Sequence, residues 1–149
     1  SMTRYTRLFE EKDFNQINKL LQLYYELGYP TTSKELIHRL SKINNHKDYY
    51  ILLLIEDEII IGFSGMCRMM FYENDGNYMR ILSFVVNSNF RGNGFGSLLL
   101  KESEKLADKL NCKVITLNSG IRTERENAHK FYKANGFESK SYGFSKSIN

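Results

Sequence analysis

The stretch that most constrains this chain runs from Ile81 to Leu100: Ile-Leu-Ser-Phe-Val-Val-Asn-Ser-Asn-Phe-Arg-Gly-Asn-Gly-Phe-Gly-Ser-Leu-Leu-Leu. It reads as a buried strand, a short loop, a glycine-rich turn and the first turns of a helix. Gly92, Gly94 and Gly96 occupy every second position, so Asn93 and Phe95 are the only side chains between them. Such a turn exposes several main-chain N–H groups, and a helix starts directly after it. Uncapped N–H groups and the positive end of the helix dipole then converge on one spot that favours an anion, most simply a phosphate. Glycine suits the place because a Cβ would block close approach and would penalise positive φ.

Two other uses of such glycines do not fit. A phosphate loop of the Gly-Lys-Ser/Thr kind needs a lysine, and Gly96-Ser97-Leu98 has none. A dinucleotide turn needs G-x-G-x-x-G in the first strand–helix–strand unit, whereas this turn comes late and is spaced G-x-G-x-G. A tight strand-to-helix turn without any ligand is the plain structural alternative.

The chain has 149 residues, 42% hydrophobic and 26% charged, which suits one globular domain spanning residues 2–149. The net charge of +4 is mild and the basic residues are interspersed with acidic ones, so no nucleic-acid partner is expected. No apolar run approaches the ~20 residues of a membrane span. The start, Arg4-Tyr5-Thr6-Arg7, has no apolar block of the signal-peptide type. Cys67 and Cys112 both lie in apolar-rich segments, and two buried free thiols in a cytoplasmic protein are expected. No metal-ligand spacing of Cys and His occurs, so no metal is expected.

Along the chain, Tyr5–Phe9 reads as a first strand. Asp13, with Gln16 three residues on, reads as the cap of a helix carrying Phe14, Ile17, Leu20, Leu21 and Tyr24, which ends near Gly28. Thr32 with Glu35 caps a second helix carrying Leu36, Ile37, Leu40 and Ile43. Strands follow at Tyr49–Ile55 and Ile59–Tyr72, the second with Gly62 and Gly65 as bulge or close-approach points. Glu73-Asn74-Asp75-Gly76 is a hairpin turn leading into a strand over Tyr78–Val86. The helix after the glycine turn is expected to bury Leu98, Leu99, Leu106 and Leu110. Lys113–Leu117 reads as a strand, Glu124–Asn135 as a helix stopped by Gly136, and Ser139–Ser147 as a final strand. The order β-α-α-β-β-β-α-β-α-β is one mixed α/β domain.

Two blocks together are similar to one family. Arg91, Gly94 and Gly96 match the R/Q-x-x-G-x-G/A acetyl-coenzyme A motif of the GCN5-related N-acetyltransferases. Asn127-Ala128-His129-Lys130-Phe131-Tyr132-Lys133-Ala134-Asn135-Gly136-Phe137 resembles the family's A-x-x-F-Y-x-x-x-G-F ending. The Ala128-His129 variant, with Arg125 upstream and Phe144-Ser145-Lys146 at the end, resembles a subgroup that includes aminoalkylphosphonate acetyltransferases. The resemblance implies splayed central strands and a diphosphate of acetyl-coenzyme A on the N–H groups of Arg91, Gly92, Asn93, Gly94, Phe95, Gly96 and Ser97. It implies a pantetheine arm paired with the edge of Phe84, Val85 and Val86, and Asn127 at the cofactor. It also implies direct transfer to the primary amine of a small molecule, with Tyr132 protonating the departing thiolate.

Deprotonating the amine is the harder step, and the glutamate many relatives place before the glycine turn is missing. Arg80 and Ser83 stand there, with no Asp or Glu from Met79 to Phe90. Tyr25, Glu26, Glu73, Asp75, His129 or a water chain remain as candidates, and Arg80 or Arg125 could pair with an anionic acceptor. Acetylation of a protein or peptide amine, and a coenzyme A sensor without catalysis, are the alternative functions. A homodimer through the last strands is plausible.

Overall fold

The computed structural model describes residues 3–119 and 126–149. The chain divides into two compact units, Ser1–Thr116 and Leu117–Asn149. The alternating and continuous apolar runs form five strands: β1 (Arg4–Leu8), β2 (Tyr49–Glu56), β3 (Ile59–Met70), β4 (Asn77–Val86) and β5 (Cys112–Leu117). They make one sheet in the order β1-β2-β3-β4-β5. The first four pair antiparallel, and β5, reached by a helical crossover, makes the sheet mixed. The helices are α1 (Ile17–Glu26), α2 (Ser33–Asn44), α3 (Phe95–Lys109) and α4 (Glu126–Ala134).

β2 is buried on both faces, as its unbroken apolar run requires. Ile51, Leu53 and Ile55 meet Leu20 and Leu23 of α1 and Leu36 and Leu40 of α2 in the main core. The opposite face carries α3, which packs on β3 and β4. Its buried stripe is Phe95, Leu99, Leu100, Ser103 and Ala107 rather than the expected Leu98, Leu99, Leu106 and Leu110. Small residues at 103 and 107 let the helix approach the sheet. The Ser103 hydroxyl is satisfied by donating to the Leu99 carbonyl at 2.8 Å, so its burial costs little.

The cap expected at Asp13 is shifted. Glu10 is the N-cap of a 3-10 turn over Glu11–Gln16, and Asp13 is its third residue, accepting the Glu10 N–H at 2.7 Å. The buried Asp13 carboxylate also takes two bonds from the Arg7 guanidinium, at 2.7 and 2.8 Å. Burial alone would push the Asp13 carboxyl up, but the Arg7 and Glu10 donors outweigh it and hold the group below its ordinary value. Gln16 instead spans to the β2–β3 turn, accepting from the Ile60 N–H and donating to the Glu58 carbonyl. The α helix proper begins only at Ile17.

Other local expectations hold. Thr32 accepts from the Glu35 N–H at 3.3 Å and caps α2. Gly28 ends α1 at φ +89°, with the Tyr29 N–H returning to the Tyr24 carbonyl. Gly136 ends α4 at the same φ, with Phe137 returning to Tyr132. Gly62 is a close-approach point, since a Cβ there would lie 2.8 Å from the Val85 carbonyl oxygen. At Gly65 the register shifts: Gly65 faces Ser83 and Met66 faces Ile81, so Leu82 is the extra, half-exposed residue of a bulge in β4.

Two expectations change. Cys67 and Cys112 are free but half-buried, and burial pushes both thiols up from their ordinary value. The strand expected over Ser139–Ser147 is absent, and the described residues after Gly136 form no regular element. Tyr142 and Phe144 do alternate with polar residues, but they are 80% and 97% exposed, and a strand needs a paired neighbour and a buried face to persist. Glu124 and Arg125 lie outside the described residues.

Candidate functional site

The site begins where β4 ends. Val85 and Val86 are buried, and the chain then turns away from the sheet through Asn87. The Asn87 side chain accepts the Asn89 N–H at 2.9 Å and starts a single 3-10 turn over Ser88–Phe90. Gly92 and Gly94 follow with φ of +82° and +78°, a conformation that penalises any Cβ. Gly94 is the N-cap of α3, and no side chain caps that helix.

The first hydrogen-bonded N–H of α3 belongs to Leu98, which donates to the Gly94 carbonyl at 3.0 Å. Among the described residues, no acceptor meets the N–H groups from Gly92 to Ser97. A Cβ built on Gly92 or Gly94 would meet nothing within 4 Å, so the space in front of the turn is open. A row of unpaired donors, a helix N-terminus and open space make an anion cradle.

The side chains between the glycines serve the loop itself. Asn93 donates to the carbonyls of Phe90 and Arg91, both at 3.4 Å. Phe95 is buried, stands edge-on to Phe90 with centroids 5.8 Å apart, and lies under the Arg4 guanidinium at 4.2 Å. The aromatic therefore anchors the first turn of α3 and leaves its backbone facing outward.

Glu26, one of the candidate bases, is drawn into this loop. It closes α1, and its side chain is only 9% exposed. Its Oε1 accepts the Ser88 N–H at 2.7 Å and lies 3.4 Å from Arg91 Nη2, while Oε2 accepts from Gln22 at 3.1 Å. Tyr25 beside it is 67% exposed. Arg80 and Ser83 lie on β4, half-buried, opposite Cys67 and Gly65 across the ladder. Phe84 pairs with Ser64. The bond from Glu26 to Ser88 joins residues 62 apart, and nothing in the spacing of the sequence announces it.

The second unit carries Asn127, His129 and Tyr132 on α4. Asn127 is exposed, while His129 and Tyr132 are half-buried. The Tyr132 ring is held edge-on between Phe131 and Phe137, with centroids 5.3 and 5.9 Å away. Among the described residues, no group of three His, Cys, Asp or Glu side chains is placed to hold a metal ion. No helix there is long and apolar enough to cross a membrane.

The model of the acetyltransferase (GNAT) family matches residues 14–137, most of the chain. The chain belongs to that family. A crystal structure of a GNAT family acetyltransferase from Staphylococcus aureus is 50% identical, covers 98% of this chain and 99% of its own, and superposes with a TM-score of 0.89. Glucosamine 6-phosphate N-acetyltransferase 1 of Dictyostelium discoideum is 28% identical over 113 residues, 73% of this chain and 69% of that protein. An aminoglycoside N-acetyltransferase solved in complex with CoA shares the fold, with a TM-score of 0.82 at 15% identity over 100% of this chain and 97% of that one. The GNAT chain is thus an acyltransferase of the N-acetyltransferase type.

Proposed function

We propose that this acyltransferase takes acetyl-coenzyme A as donor, holds its diphosphate on the N–H groups of residues 92–97, and passes the acetyl group directly to the primary amine of a small molecule. The observation that carries this reading is the row of unpaired N–H groups before Leu98, with open space in front of Gly92 and Gly94. A diphosphate fits such a row, because its oxygens are acceptors only and its charge suits the helix N-terminus. Acetyl-coenzyme A supplies the acetyl group as an activated thioester.

Arg91, Gly92, Asn93, Gly94, Phe95, Gly96 and Ser97 act here through their main chain. The edge of Phe84–Val86 takes the pantetheine arm as an added strand would. N–H groups near Val86 polarise the thioester carbonyl. Asn127 contributes to the cofactor, and Tyr132 is the proton donor to the leaving thiolate. A thiol pKa of about 8.5 against about 10 for tyrosine makes that transfer an assisting step. Neither cysteine is assigned as a covalent carrier, since burial raises both thiols and makes them poorer nucleophiles.

No side chain is assigned as the base. Glu26 is already engaged by Ser88 and Arg91. An amine that arrives neutral needs no base, and one of low pKa is favoured over a lysine-like amine, which is neutral in only ~1 part in 10³ at pH 7. Tyr25, Arg80, Ser83 and His129 are the residues proposed to meet the acceptor. The curated relative named for glucosamine 6-phosphate supports a small-molecule acceptor. Arg80 would favour one carrying a phosphonate or phosphate.

Thiol release from acetyl-coenzyme A across a panel of amines, with and without a phosphoryl group, tests the proposal. Release that depends on a small amine is expected. In Tyr132→Phe, kcat should fall about 10²-fold with the KM for acetyl-coenzyme A unchanged. Tight binding of acetyl-coenzyme A with no turnover on any amine would contradict the reading, as would a phenylalanine variant of full activity.

A further inference from the structure

We infer that Glu26 is a positioning residue for the diphosphate loop, acting through the Ser88 N–H. The inference rests on the function proposed above and adds a residue outside the glycine motif. A carboxylate is out of place at the last position of α1 in two ways. The helix dipole disfavours a negative charge at a C-terminus. A second anion near the loop also opposes a bound diphosphate. The contacts explain why it stands there. Its side chain is 9% exposed, and both oxygens are occupied, Oε1 by the Ser88 N–H at 2.7 Å and Oε2 by Gln22 at 3.1 Å.

Ser88 opens the 3-10 turn that carries the chain from the end of β4 into the glycines. Fixing its N–H fixes where that turn begins, and so the direction in which the N–H groups of 92–97 point. The Arg91 guanidinium, 62% exposed and 3.4 Å from the same oxygen, is held at the edge of the turn. The essential property is the reach of an acceptor oxygen from α1, not its charge.

Three variants separate reach from charge. Glu26→Gln keeps the length and an acceptor oxygen, Glu26→Asp keeps the charge but draws the oxygen back, and Glu26→Ala removes both. Acetyl-coenzyme A affinity, by calorimetry and KM, should be within about twofold of wild type for Gln, and about tenfold weaker for Ala with Asp in between, the scale of one lost hydrogen bond. The kcat should be unchanged. With S-acetylpantetheine, which has no diphosphate, all three should match wild type. An Asp variant equal to wild type with a weakened Gln variant would overturn the inference. So would equal losses on both donors, which would mean general damage to the fold. If the wild type itself used both donors equally well, the diphosphate reading would fail instead. The Gln and Asp variants keep a polar group of similar size, so the order between them is readable even if Glu26→Ala folds poorly.

Discussion

Residues 87–97 and residues 138–149 are alike in composition. Each is short, carries Ser, Asn, glycine, two aromatics and at least one basic residue, and lacks any apolar run. Their outcomes are opposite. The first is built from within: Asn87 and Asn93 bond to the loop's own backbone, Gly92 and Gly94 turn it, and Phe95 is 4% exposed. The second forms no strand, with Phe144 97% exposed. Glycines at fixed positions and side chains that cap their own neighbours define a turn by themselves. Alternation alone does not define a strand, because the partner that would pair with it is not in the segment.

The sharpest way to break this contrast is Gly94→Val. A β-branched side chain at φ +78° is strained and would stand over the donor row. Affinity for acetyl-coenzyme A, read by calorimetry, should fall about 10²-fold or more, the scale of several lost charge-assisted bonds. A near-normal affinity would remove the glycine turn from the site. A smaller effect is expected inside the sheet. Gly62→Ala forces a Cβ to 2.8 Å from the Val85 carbonyl and should cost about 1–3 kcal/mol in denaturant unfolding. Gly65→Ala, whose nearest neighbour would be at 3.7 Å, should cost about 1 kcal/mol or less. Equal costs would show that the β3–β4 approach is looser than described. The smallest effect belongs to the C-terminal segment. Removing residues 139–149 should change the unfolding free energy by only about 0.5 kcal/mol, the usual range for exposed positions. A large loss would mean that the segment has a structural partner.

The same distinction explains what could be read in advance. Thr32, Gly28, Gly136, the hairpin turn before β4 and the glycine turn all lie within a few residues of what they act on, and all stand where the sequence places them. The misplaced features depend on partners that spacing alone does not name. Asp13 is claimed by Arg7, six residues back on β1, and by the Glu10 N–H, so it does not cap the α helix. The buried stripe of α3 follows the small residues Ser103 and Ala107 that fit the sheet, and a pattern of leucines does not reveal it. Leu82 is extra only in relation to Gly65 and Met66 across the ladder. Glu26 reads only as one candidate base among several until Ser88 is brought to it. The candidate site was legible to the extent that it is main chain, and illegible where side chains from another element hold it.

The most direct test is a crystal structure of the protein with coenzyme A. The account predicts diphosphate oxygens at about 2.7–3.2 Å from main-chain nitrogens between residues 92 and 97, with the sulfur within reach of the Tyr132 hydroxyl. A diphosphate bound elsewhere, or a sulfur remote from that phenol, would contradict it.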